Sequence, residues 1–161
     1  GMEAFTYVRL ADEDEVYMVN GFLEATFGRG LNDWRDRSLL RFSSEDVTKV
    51  TFTYPADSSF VLEKRDTLWL VSGKPADKTK VNTYLRELSF KSETSFAEGF
   101  TAIGAATAII QIDGSTGPIA TVEGWKQDAA WYLRSSRQPE VFFLNNDPNS
   151  ISRLFAGASR F

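Results

Sequence analysis

An α+β fold, with antiparallel β-meanders packed against about three short helices, is predicted by three features of this 161-residue chain. Residues 47–71 and 105–144 alternate apolar and polar side chains in short runs separated by turn residues, the pattern of half-buried strands. Residues 76–90 instead place Val81, Tyr84, Leu85 and Leu88 at i, i+3, i+4 and i+7, an apolar stripe on one helix face. Thirteen Phe, five Tyr and four Trp favour strands and a large core.

Taken in order, 5–10 and 15–19 read as short strands around the acidic turn Asp12-Glu13-Asp14. Asn20 is expected to cap a short helix carrying Phe22, Leu23, Thr26 and Phe27, which Gly28 and Gly30 end. Asn32 to Arg37 is a polar connection around Trp34, and Leu39, Leu40 and Phe42 form an apolar strand or turn. Val50, Phe52 and Tyr54 start a three-strand meander that continues through Phe60–Leu62 and Leu68–Val71. Gly73-Lys74-Pro75 closes it, and Asp77 caps the helix over 76–90. Ala105–Ile112, Pro118–Trp125, Ala130–Arg134 and Val141–Leu144 are the strands of a second meander. Asn146 or Asp147 then caps a final helix with Pro148 in its first turn and Ile151, Leu154 and Phe155 on its apolar face. The 5–54 and 105–144 regions are expected to pair as antiparallel ribbons under these helices.

An internal repeat is read at an offset of 125. Tyr7-Val8-Arg9 corresponds to Tyr132-Leu133-Arg134, and Glu15–Asn20 to Glu140–Asn145, each followed by a short helix. The chain is therefore expected to form a single domain over 1–161, or two similar halves over about 30–95 and 96–161. Residues 4–30 are then the tail of a preceding unit. Gly1 before Met2 reads as a tag-cleavage scar, so the natural N-terminus is expected to lie elsewhere.

Composition excludes several chemistries. With no cysteine and no histidine the chain has no disulfide, thiolate or imidazole ligand, and neither a Ser-His-Asp nor a Cys-His mechanism is available within it. A net charge of −4, well mixed along the chain, argues against a nucleic-acid partner. No apolar run approaches a membrane span of ~20 residues. The acidic run 12–15 and the Asp113–Gly117 turn lack the alternating oxygen ligands of a calcium loop. No Gly-rich phosphate fingerprint or Walker lysine is present. No catalytic residue, metal ligand or cofactor is expected. The candidate binding residues are the charged loop Trp34, Arg35, Asp36 and Arg37, and Trp125. Trp34 and Trp125, both beside turns, are the better candidates for exposure, although packing is the favoured reading even there, whereas Trp69 and Trp131 are expected in the sheet.

Several of these segments also carry a family likeness. The stretch Trp34-Arg35-Asp36-Arg37-Ser38-Leu39-Leu40-Arg41-Phe42, then Val47–Phe52, Leu68-Trp69-Leu70, and Ala76-Asp77 with its helix, resembles the bacterial domain-of-unknown-function family 4340. The resemblance covers roughly residues 15–100. It implies an extracytoplasmic domain behind an N-terminal membrane anchor that this chain lacks, linked to transporter components of the gliding-motility type. It implies no catalytic residues, since none is established for the family.

The expected function is a non-enzymatic interaction or accessory domain of a bacterial cell-envelope protein, associated with an ABC-type transporter and binding a protein partner through a face or edge of its sheet. Such a domain predicts an exposed apolar patch. The alternative, a carbohydrate-binding or carbohydrate-processing envelope module, predicts an aromatic-lined cleft with carboxylates about 5–10 Å apart. A third reading is a structural spacer with neither feature.

Overall fold

In the computed structural model, which describes residues 5–161 and gives Thr26 by its backbone alone, the segment ending at Asp36 and the segment Arg37–Phe161 form two separate units. Gly1 and Met2, expected as a tag scar, and the first residue of the expected 4–30 tail lie outside the described residues.

The first unit is a hairpin of β1 (Phe5–Val8) and β2 (Tyr17–Asn20), followed by the short helices α1 (Leu23–Phe27) and α2 (Leu31–Trp34). Asn20 does not cap α1. It ends β2 opposite Phe5, and the N-cap position falls on Phe22, which makes no capping hydrogen bond. Thr6 supplies part of the missing cap. Its Oγ1 accepts from the Leu23 amide at 3.1 Å and donates to the Gly21 carbonyl at 2.7 Å. Leu31–Trp34, which overlaps the connection expected over Asn32 to Arg37, forms a single turn of helix in which Asp33 folds back onto the Gly30 amide at 3.1 Å.

In the second unit, β3 (Val47–Thr53), β4 (Phe60–Arg65), β5 (Leu68–Val71) and β6 (Lys74–Pro75) make a meander that leads into α3 (Lys78–Ser89). After β7 (Ser95–Phe96), a second meander of β8 (Ala108–Gly114), β9 (Gly117–Gln127), β10 (Ala130–Ser135) and β11 (Gln138–Asn145) leads into α4 (Pro148–Leu154). The two meanders join through their first strands, with Val50 opposite Ile112 and Phe52 opposite Ile110. The result is one antiparallel sheet of order β6-β5-β4-β3-β8-β9-β10-β11-β7. Of the expected 5–54 ribbon only β3 reaches this sheet; β1 and β2 pair with each other.

Strand alternation sets the layers. Val47, Val50, Phe52, Leu62, Ile110, Ile112, Val122, Leu133 and Phe143 point to one face and are buried with Val81, Tyr84, Leu85 and Leu88 of α3 and Ile151 and Leu154 of α4. The predicted caps hold for both helices. Asp77 Oδ1 accepts from the Thr79 and Lys80 amides at 2.8 and 3.2 Å, and Asp147 accepts from Asn149 at 2.9 Å with Pro148 beginning the helix. Leu39 and Leu40 form no strand. They are buried where their amides reach the Lys91 carbonyl just past α3. The C-terminus seals the core: the Asp77 amide donates to the Phe161 carbonyl at 2.9 Å, and the Phe161 ring packs on Tyr84 at 5.1 Å and Phe52 at 6.1 Å.

The register of β1–β2 departs from the offset-125 correspondence, by a one-residue slip that turns the matched β1 side chains to the opposite face. Phe5 faces Asn20 as Trp131 faces Asn145, and Tyr7 faces Met18 as Leu133 faces Phe143. β1 thus matches β10 one residue further along than its sequence likeness indicates, with Phe5 in place of Trp131 and Tyr7 in place of Leu133.

Candidate functional site

Trp34, Arg35 and Asp36 close the first unit and Arg37 opens the second. Trp34 is 60% exposed, against the packing favoured for it. Arg35 Nη1 donates to Asn32 Oδ1 at 2.9 Å, so the guanidinium is engaged locally. Arg37 contributes its carbonyl to the Glu93 amide at 2.9 Å.

Trp125, the other candidate, is packed, as favoured for it, and offers no binding surface: only 6% of it is exposed. The segment 97–107 lies against the outer face of the second meander. There Trp125 Nε1 donates to the Gly104 carbonyl at 3.3 Å and Phe100 stacks on Tyr132 at 3.9 Å. The Arg134 guanidinium sits 5.2 Å from the Trp125 ring and 5.3 Å from Phe142, held by Glu123 Oε2 at 2.6 Å. These residues form a second, small aromatic core with a cation–π clamp.

Among the described residues, a cluster of buried and part-buried polar groups that resembles a reactive site lies past α3. Glu93 is buried. Its Oε2 accepts from Asn145 Nδ2 at 2.6 Å, and its Oε1 lies 3.2 Å from Lys91 Nζ. Lys91 Nζ also donates to Ser150 Oγ at 2.7 Å, and Asn145 Nδ2 reaches the same hydroxyl at 3.0 Å. A shallow cleft of about 440 Å³ borders these groups. Burial pushes the Glu93 carboxyl above its ordinary range, and the Lys91 charge pulls it back. The serine–lysine distance is that of a nucleophile–base pair. The lysine, however, is ion-paired with Glu93 and donates to the hydroxyl rather than accepting from it. The cluster therefore acts as a brace, tying the post-α3 segment to β11 and to the first turn of α4. Sequence reading missed it because its members lie 52 and 59 residues apart.

A cleft of about 780 Å³ runs between α3 and the β4–β5 turn. Lys64, Lys78 and Arg86 line it together with Glu45 and Asp66. Trp69 also borders it but is 4% exposed, which leaves no ring face on which a sugar could stack.

Exposed apolar surface is concentrated elsewhere. Of the thirteen large apolar side chains exposed among the described residues, ten lie between Phe5 and Trp34; Leu68, Phe90 and Ile103 are the other three. Phe5, Tyr7, Leu23 and Phe27 line a groove of about 630 Å³ between β1 and α1. Phe22, Phe27 and Leu31 are each more than 70% exposed. Among the described residues Glu24 is the one charged side chain lining the groove. Among the described residues no group of acidic side chains has the geometry to hold a metal ion, and no helix is long and apolar enough to cross a membrane.

Fold and surface together define an α+β protein built on an antiparallel sheet and carrying a small, apolar N-terminal unit. A family model described as a domain of unknown function (DUF4340) matches residues 2–99, and the chain belongs to that family. The match takes in the first unit and the second through α3 and β7. No curated protein and no solved structure matches the chain.

Proposed function

We propose that this chain is a non-enzymatic assembly module of a bacterial cell-envelope protein, and that the unit Phe5–Asp36 is its docking surface. The observation that carries this reading is the crowding of exposed Phe, Tyr, Leu, Met and Trp side chains into that unit. Apolar surface of this density is stabilised by burial against another folded surface, at roughly 25 cal/mol per Å². An extracytoplasmic location behind a membrane anchor, and association with an ABC-type transporter of the gliding-motility kind, belong to the same proposal and rest on the family likeness. The buried state of Trp69 and Trp125 weighs against the carbohydrate-binding alternative.

Photo-crosslinking in cells tests it. A photoreactive phenylalanine analogue is placed at Phe22, Phe27 or Leu31 of the full-length protein, with Lys49 and Thr53 on the exposed strand face as controls. Cross-links to another folded domain are expected at the first three positions and not at the controls. Equal yields at all five positions would overturn the proposal.

A further inference from the structure

Between Phe5 and Asp36 the chain builds a unit without an interior. No side chain described in this stretch is buried, and its elements are two strands of four residues and helices of five and four. A two-stranded hairpin is marginal in water; a third strand or a covered apolar face makes a small sheet stable. Units below about 40 residues are usually held by disulfides, metal ions or association with another chain. The absence of cysteine excludes the first. The chain also has no histidine, and no acidic group among the described residues has the geometry to hold a metal ion. Association is the remaining route.

The surface has the size and the charge that a second copy requires. The ten exposed apolar side chains between Phe5 and Trp34 offer on the order of 1,000 Å², against about 800 Å² per partner in a standard interface. An interface between identical surfaces sets like groups close to each other, so it tolerates little charge at its centre. The groove beside β1 meets this condition, since Glu24 is its one charged lining residue among those described.

β1 supplies the geometry. It pairs only with β2 among the described residues, which leaves its other edge as a template for a strand. The second unit, by contrast, blunts its edges with two-residue strands, Lys74–Pro75 and Ser95–Phe96. An antiparallel strand paired with its own copy has a two-fold axis normal to the sheet. Because directly opposed side chains share a face, that axis passes beside a residue paired with itself. In β1 the central residues are Thr6 and Tyr7. Antiparallel pairing also sends the acidic β1–β2 loops, which carry Asp12–Glu15, to opposite ends of the joined sheet, so these like charges do not meet.

We infer that the occupant of the β1 edge and its groove is the same surface of a second copy of this chain. The two β1 strands pair antiparallel about an axis at Thr6 or Tyr7, giving a four-stranded sheet of order β2-β1-β1-β2. The inference rests on the docking reading above and names the partner that covers this surface.

Sedimentation equilibrium of the purified chain tests it. A monomer–dimer equilibrium is expected, with the dimer predominant at ~100 μM. Phe27→Asp, which puts a charge into the groove of both copies, is expected to raise the dissociation constant about 10-fold or more. Phe90→Asp, at a ring 71% exposed in the second unit, is expected to leave it unchanged. Hydrogen exchange of the β1 amides is expected to slow as the concentration rises through the dimer range. Because the chain has no cysteine, a single introduced one reports the axis. Oxidation is expected to link Thr6→Cys or Tyr7→Cys chains into covalent dimers, and not Leu68→Cys chains. A chain that stays monomeric overturns the inference whatever the variants do. So does β1 protection that is independent of concentration, which places the cover within one chain. A dimer that Phe27→Asp leaves intact, or in which neither Thr6→Cys nor Tyr7→Cys links, overturns it as well. If the chain stays monomeric while Phe22, Phe27 and Leu31 cross-link to a different protein in cells, the second copy is excluded and the docking reading stands. If the dimer forms as described but those positions give no cross-links in cells, the docking reading fails alone.

Discussion

At the scale of single residues, two positions control how the second meander meets α4. Gly124 has no room for a side chain, since Phe155 and Trp131 lie 2.7 and 3.0 Å from a Cβ built there. Gly124→Ala is expected to cost about 1–3 kcal/mol, because the clash falls on two packed rings rather than on a flexible tip. Chemical denaturation measures it, with Gly157→Ala as comparison, where φ is −83° and a Cβ meets nothing closer than 4.0 Å. Glu93 is the second. Its carboxyl sits above an ordinary value of 4.5 because burial disfavours the charge. The native state therefore retains the proton where the unfolded chain has released it, so stability falls as pH rises from about 4 through the folded value. Glu93→Gln keeps an acceptor for Asn145 and removes the titration. The melting temperature of this variant is expected to vary less between pH 4 and 7 than that of the parent; parallel curves would assign the slope to another group.

At the scale of elements, the helices divide into those the sequence specifies locally and those it does not. α3 is written into its own residues: Asp77 offers a carboxylate to two amides, and Val81, Tyr84, Leu85 and Leu88 fall on one buried face. Asp77→Ala is expected to lower stability by about 1 kcal/mol, the usual worth of such a cap, read as a fall in the denaturation midpoint at constant slope. α1 has no comparable signal, and its start depends on Thr6, a residue 17 positions away. This explains why Asn20 has the residue type of a cap and is not one. The same logic explains Trp125. Its neighbourhood to a turn was legible, but the cover provided by Phe100 and the Gly104 carbonyl comes from a segment with no periodicity to read. The Glu93 brace was illegible for a related reason, since its partners meet only once β11 and α4 are in place. The meanders, by contrast, were legible strand by strand, because alternation is a local property and each turn carries its own residues.

At the scale of the molecule, the second unit is organised about the β3–β8 pair, from which each meander runs outward before its helix returns over the sheet. Two such layers need a link, and the last residue provides it. The Phe161 ring touches Phe52 of β3, Phe60 of β4 and Tyr84 of α3, while its carbonyl holds the amide of Asp77 at the start of α3. The Tyr84 hydroxyl in turn donates to the Leu154 carbonyl at the end of α4, at 2.8 Å. The C-terminal residue thereby connects the first meander, its helix and the helix of the second. Phe161→Ala is expected to cost about 2–3 kcal/mol, short of the about 3–5 kcal/mol of a fully enclosed phenylalanine because the ring is half-buried. Phe90→Ala, at a ring 71% exposed, is expected to change stability by less than about 0.5 kcal/mol. If the two substitutions lower the denaturation midpoint equally, the C-terminal ring is surface decoration and the joining of the two layers must come from the strands alone.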